Sequence, residues 1–191
     1  MLKLRTGTHR DLERYYALMQ EDFDEKELLP KLYIHKAMLK GDMELCLVYD
    51  EQSEIDLAYA LVVKRGIYGY VLLKYFGVHP WYREQGIGVQ AMRLINKRYI
   101  NKQGILAEIT VFDDEDDQFL RKLRKFFARF GYVKVMSDYR IGGTEVELMV
   151  KPIMGNEKIE GFAHRMIRDF YSRCLSPSAM DKMIDIKPVK D

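Results

Sequence analysis

Cysteine is nearly missing from this chain. Cys46 and Cys174 are its only two, far apart and with no CxxC spacing, which excludes a disulfide framework and a thiol-rich metal or redox motif. Long apolar runs are missing too. No stretch approaches 18 consecutive apolar residues, and the opening MLKLRTGTHRDLERYY has no apolar h-region, so neither a membrane-spanning helix nor a secretory signal is expected. An excess of one charge is also lacking: 31 Lys and Arg face 29 Asp and Glu, a formal net charge of +2. That balance is not the electrostatic footprint of a nucleic-acid or membrane-surface protein. His9, His35, His79 and His164 are scattered without ligand spacing, so no metal site is predicted. These absences together predict a cytoplasmic protein without nucleic-acid or membrane partners. What is present is ordinary for a folded domain: 191 residues, 48% hydrophobic and 31% charged, enough to bury a sizeable core.

Periodicity divides the chain into two styles. Leu2 to Thr6 alternates apolar and basic residues, as a short strand does, and Leu12, Tyr15, Tyr16, Met19 and Phe23 follow a helical face. A second helix is predicted from about Lys26 to Leu39, stopped by Gly41. Glu44 to Asp50 and Asp56 to Val63 flank EQSE as a hairpin, and Tyr70 to Val78 adds a third strand. Strand and helix then alternate. A helix is expected from Gly86 to about Asn101, a strand from Ile105 to Phe112, and a helix with the stripe Phe119 to Phe130 ended by Gly131. Val133 to Tyr139 and Glu145 to Val150 close the series as paired strands. A last helix carries Ile159 to Cys174 in phase, with Asn156 as its N-cap and Glu157 and Glu160 near the positive end of its dipole. The expected fold class is α/β: one mixed, mostly antiparallel sheet with helices on both faces and a C-terminal helix. Residues 1–152 read as one domain, and 153–191 as a helical extension packed on it or at a contact between two copies.

The informative segment is VLLKYFGVHPWYREQGIG, Val71 to Gly88. Pro80 ends the strand, and seven loop residues lead to Gly86-Ile87-Gly88 at the start of a helix. Amides at a helix N-terminus form a ready phosphate site, and glycine lets a phosphate approach the backbone. Arg83 supplies a charged donor at the same mouth. Gly86-x-Gly88-x-x-Ala91 also matches a relaxed dinucleotide fingerprint, with Glu108 twenty residues beyond Gly88. A dinucleotide fold, however, turns directly from strand into the first glycine, whereas HPWYREQ intervenes here, and Glu108 falls inside a strand rather than at its end.

The run Val78-x-Pro80-x-Tyr82-Arg83-x-x-Gly86-Ile87-Gly88 resembles the acetyl-CoA-binding motif of the GNAT superfamily of N-acetyltransferases, whose core is (R/Q)-x-x-G-x-(G/A). Phe126-Phe127-Ala128-Arg129-Phe130-Gly131-Tyr132 resembles the family's L-Y-x-x-x-G-F helix end. The resemblance covers Leu2 to about Val150. It implies that the backbone of Phe76, Gly77 and Val78 holds the pantetheine arm of acetyl-CoA. It further implies that the amides of Arg83, Glu84, Gln85, Gly86, Ile87 and Gly88 hold the pyrophosphate. The implied reaction is direct transfer of an acetyl group to a primary amine of a small molecule or peptide, with no metal.

The chain departs from the family pattern at the proton chemistry. The family's acid tyrosine falls at Phe127, and its usual glutamate base falls at Leu72, with Tyr70 and Lys74 as same-face neighbours. Glu108 on the next strand is the candidate base, against the plainer alternative of a solvated strand residue. A catalytically silent acyl-CoA-binding module is the rival function. The acidic run Asp113 to Asp117 reads as a helix cap or as an attractor for a cationic amine. Trp81 and Tyr82 are expected to pack the loop down. Lys97, Arg98, Lys122, Arg124 and Lys125 are expected to be solvated helix faces.

Overall fold

The computed structural model describes residues 1–111, 118–154 and 159–186, so the acidic run 113–117, Asn156 and Glu157 lie outside the described residues. In chain order the elements are β1 (Leu2–Thr6), α1 (His9–Asp22), α2 (Lys31–Leu39), β2 (Met43–Asp50), β3 (Asp56–Val63) and β4 (Tyr70–Val78). There follow α3 (Ile87–Arg98), β5 (Gly104–Thr110), α4 (Gln118–Arg129), β6 (Val133–Ile141), β7 (Thr144–Pro152), α5 (Ala163–Cys174), α6 (Pro177–Met183) and β8 (Ile184–Ile186). All eight strands form one sheet in the order β1-β2-β3-β4-β5-β7-β6-β8. Among the described residues only β4 and β5 run parallel. This is the mixed, mostly antiparallel sheet expected from the strand and helix order.

Local chemistry explains the element ends. Thr8 caps α1 through a reciprocal box: Asp11 N–H donates to Thr8 Oγ1 at 3.2 Å, and Thr8 N–H donates to Asp11 Oδ2 at 2.7 Å. α2 starts at Lys31 rather than near Lys26. Pro30 is its N-cap and disfavours helical backbone at Leu29. Leu28 and Leu29 turn inward instead and are almost fully buried. The chain after the expected terminal helix adds two further elements. Ser176 caps α6 by accepting from Ala179 N–H, with Pro177 at the first helical position. β8 then joins the sheet beside β6, pairing Ile186 with Tyr139.

The sheet separates two apolar layers. One face packs Leu12 of α1, Ile34 of α2 and Phe170 of α5 over Tyr70, Leu72, Tyr75, Leu106 and Leu148. The other packs Met92 and Ile95 of α3 and Leu120 and Phe127 of α4 over Val71, Leu73, Ile105 and Ala107. The apolar stripe of the last long helix therefore meets its own sheet: Ala163, Met166, Ile167, Phe170 and Tyr171 are all buried there.

Candidate active site

The site begins with a bulge. Leu61 pairs with Tyr75 and Val62 with Leu73, so Lys74 is an extra residue in β4. A bulge resets the alternation of a strand, and Lys74 and Tyr75 consequently face the same layer, with the Lys74 ammonium 4.9 Å from the Tyr75 ring centroid. The parallel ladder to β5 covers only Tyr70–Leu73 against Gly104–Ala107. Beyond it, β4 keeps β3 on one side through Val78, while β5 keeps β7 through Thr110. Two strands that were neighbours thus part into a fork. Phe76, Gly77 and Val78 lie along one arm with an edge turned toward the fork. Gly77 is required there because a Cβ would come within 2.5 Å of the Tyr59 ring.

The loop beyond the fork leads into α3. Gly86 has φ +77, a conformation that disfavours residues with a Cβ, and no side chain caps the helix. A Cβ on Gly88 would lie 3.4 Å from Val78 and 3.8 Å from Phe126, in ordinary contact with β4 and α4. Glu84 also adopts a positive φ of 62. Arg83 stitches the loop to its surroundings: its Nε donates to Val78 O at 3.0 Å, and its guanidinium pairs with Asp22 at the end of α1. Asp22 also accepts from Tyr59 Oη at 2.8 Å. Gln85 donates its amide to Trp81 O. Trp81 is a correction to expectation: it is 82% exposed and does not pack the loop down.

Glu108 sits at the throat of the fork. Its side chain is only 4% exposed, which overturns the solvated alternative. Lys74 Nζ donates to Glu108 Oε2 at 2.7 Å, Tyr139 Oη to Oε1 at 3.0 Å, and Tyr171 Oη to both oxygens at 3.0 and 2.8 Å. The Lys74 ammonium lies 5.2 Å from the Tyr171 ring centroid as well, a favourable cation–π position. Burial, followed by the nearby Glu108 charge, pushes the Tyr171 phenol well above its ordinary range, so it remains a neutral donor. One buried carboxylate thus gathers donors from β4, β6 and α5.

A short segment covers this cluster. Tyr75 Oη accepts from Leu29 N–H at 2.8 Å and donates to Glu27 O at 2.9 Å, while Thr110 Oγ1 donates to Glu27 Oε2 at 2.6 Å. The connection between α1 and α2 is thereby tied across both arms of the fork. Phe127, where the family carries its acid, is buried edge-on against Tyr132 at 5.1 Å. Tyr139 and Tyr171 are the phenols at the throat, and sequence reasoning missed both. Tyr171 lies within an apolar helical stripe and Tyr139 at a strand end, so nothing local marked either. Two of the expected solvated cations are also engaged: Arg124 pairs with Glu147, and Arg98 with Glu44. Among the described residues no His, Cys, Asp and Glu group could hold a metal ion, and no helix is long and apolar enough to cross a membrane.

A parallel pair that opens at a bulge, followed by a glycine loop and an uncapped helix, defines a class of fold. No family model and no curated protein matches this chain by sequence. Solved structures do match by shape. A protein described as a GNAT-family acetyltransferase from Bacteroides thetaiotaomicron superposes with a TM-score of 0.70 at 15% identity, covering 89% of this chain and 96% of that one. The ribosomal-protein-S18-alanine N-acetyltransferase from Escherichia coli gives 0.61 at 12% identity, covering 83% and 97%. Arabidopsis thaliana NAA60 in complex with a bisubstrate analogue gives 0.62 at 15% identity, covering 82% and 100%. The chain has the GNAT acetyltransferase fold. At these identities the likeness fixes the architecture and leaves the substrate to be argued from the site.

Proposed function

We propose that this protein is an N-acetyltransferase that moves an acetyl group from acetyl-CoA to a primary amine of a small molecule or peptide. The observation that carries the reading is the fork: an open strand edge at Phe76 to Val78, an uncapped α3 N-terminus ahead of it, and a buried carboxylate at its throat. In this reading the edge of Phe76, Gly77 and Val78 binds the pantetheine arm. The amides from Arg83 to Gly88 receive the pyrophosphate, favoured by the helix dipole. Gly86, with open space where a Cβ would stand, leaves room for this contact. The Arg83 side chain holds the loop closed through Val78 O and Asp22.

Acetyl-CoA supplies an activated thioester. The amine nitrogen forms the new bond to the acyl carbon, the carbon–sulfur bond breaks, and CoA leaves as its thiolate, which takes its proton from solvent water. Glu108 takes the proton that the amine loses. Tyr139, Tyr171 and Lys74 act through Glu108, fixing its carboxylate in direction. Phe127 cannot donate a proton, so the reading assigns no acid to the family position. Positioning and oxyanion stabilisation remain available without one.

Thermal shift with acetyl-CoA, CoA and NAD(H), combined with thiol release against a panel of amines, tests the proposal. Stabilisation by CoA species and amine-dependent thiol release are expected. Gly88→Trp should abolish the CoA-dependent shift. Stabilisation by NAD(H) alone would overturn the reading, whereas CoA binding with no release for any amine would leave the binding-module alternative.

A further inference from the structure

Several cations in this protein have a carboxylate beside them, as Lys74, Arg98, Arg124 and Arg173 do. Arg93, Lys97 and Arg129 do not: among the described residues no Asp or Glu comes within ion-pair distance of any of them. Arg93 and Lys97 lie one turn apart on the exposed side of α3, and Arg129 is the last residue of α4. All three open onto one surface cavity of about 550 Å³, with Lys151 from the end of β7 as a fourth cation on its wall. No acidic residue lines it among those described. Its apolar surface comes from Ile100 and Phe130, with Pro152 and Ile153 beside them. Asn96 contributes an amide whose oxygen is occupied by Tyr132 Oη at 3.1 Å, which leaves its NH2 to donate.

The plainer explanation is helix-end compensation, since basic residues in a last turn complement the carbonyl end of a helix. It accounts for Lys97 and Arg129. Arg93 sits a turn too early for it, Lys151 comes from a strand, and the concavity itself is unexplained. Like charges gathered without counter-charge repel one another, and in a chain of net charge +2 the gathering is local rather than a consequence of composition. Cations around an apolar floor, in a volume within the roughly 300–1,000 Å³ of small-molecule sites, match a ligand that is anionic at one end and flat and apolar at the other. The cavity is also separate from the fork. Its lining starts on α3 at Arg93, five residues beyond Gly88, and includes no residue of the strand edge or the glycine loop.

We propose that this cavity is a nucleotide site, with phosphates on Arg93, Lys97 and Arg129 and the base against Ile100 and Phe130. It does not depend on the acetyltransferase reading. The test is calorimetric titration of ADP into the full-length protein already saturated with acetyl-CoA, at low ionic strength. Saturable binding that weakens with added salt is expected. Lys97→Glu with Arg129→Glu should weaken it at least about tenfold without lowering Tm, because both side chains are exposed. No saturable heat with ADP, ATP or GTP up to about 1 mM would overturn the site. So would an affinity indifferent to the charge reversals, or displacement of ADP by acetyl-CoA, which would put the nucleotide in the fork. Pyrophosphate binding as tightly as ADP would remove the seat for the base and reduce the site to a simple anion hole. Tight binding of a short RNA with none of ADP would overturn it in favour of a nucleic-acid surface.

Discussion

Replacing Lys74 by Met tests the throat of the fork most directly. The Lys74 and Glu108 side chains are each 4% exposed, and their charged atoms lie 2.7 Å apart. Methionine keeps the length of the lysine stem and removes only its charge, so packing in the layer is little disturbed. Two phenols still donate to Glu108, but its charge loses its counter-ion in a largely buried site. Removing one member of a buried pair costs about 3–5 kcal/mol, against a total stability of about 5–15 kcal/mol for a typical domain. At roughly 2–4 °C per kcal/mol for a chain of this size, Tm should fall by about 6–20 °C. Urea unfolding measures the loss, with an unchanged m-value showing that the unfolded state is comparable. Lys74→Met with Glu108→Gln removes both charges and should recover at least half of it, which appears as a strongly non-additive double-mutant cycle. A loss under about 1 kcal/mol with an additive double variant would refute the argument, because a pair behaving so is solvated.

Three further outcomes follow from the same geometry. Tyr171→Phe deletes a donor to both Glu108 oxygens at 3.0 and 2.8 Å, a contact worth about 1.5–3 kcal/mol to a charged group. It should lower kcat about 10–100-fold while leaving the acetyl-CoA thermal shift intact, and an unchanged kcat would remove the positioning role. Arg5 donates two bonds to Asp11, and this contact first, then the Thr8 bonds, against the opposing effect of burial, holds the Asp11 carboxyl down to about 2. A depressed folded value adds stability above the unfolded pKa near 3.9 and loses it as pH falls toward 2. Acid unfolding of Arg5→Met should therefore be flatter than wild type between those values. Burial pushes the Cys46 thiol up to about 11 and the Cys174 thiol up to about 12. Neither should react with DTNB at pH 8 until urea is added, so thiol release reports CoA alone; fast native labelling at Cys174 would mean that α5 undocks.

The sequence by itself determined the order of elements, the mixed sheet and the position of the glycine loop. These signals are local: the apolar run Tyr70 to Val78, the stop at Pro80, two glycines at a helix start, and the stripe from Ile159 to Cys174. Of the elements left unread, α6 had a local mark in Ser176-Pro177, whereas β8 is defined by its pairing with β6. The start of α2 was misjudged for a related reason, since the weight of Pro30 on Leu29 is a backbone effect that periodicity does not register.

Tertiary structure decided what the site contains. Glu108 was named from its place on a neighbouring strand, but whether it was solvated or buried depended on partners 31, 34 and 63 positions away. Lys74 was named only as a same-face neighbour of Leu72; the bulge that brings Tyr75 onto that face beside it, and the Glu108 carboxylate 34 positions away, were not legible in the strand. Tyr171 carried the signature of a core residue, and it is one, except that its hydroxyl ends on a carboxylate. Periodicity records which face a side chain takes. Which polar atoms meet on that face is settled by sheet register and helix docking, and no run of adjacent residues encodes them.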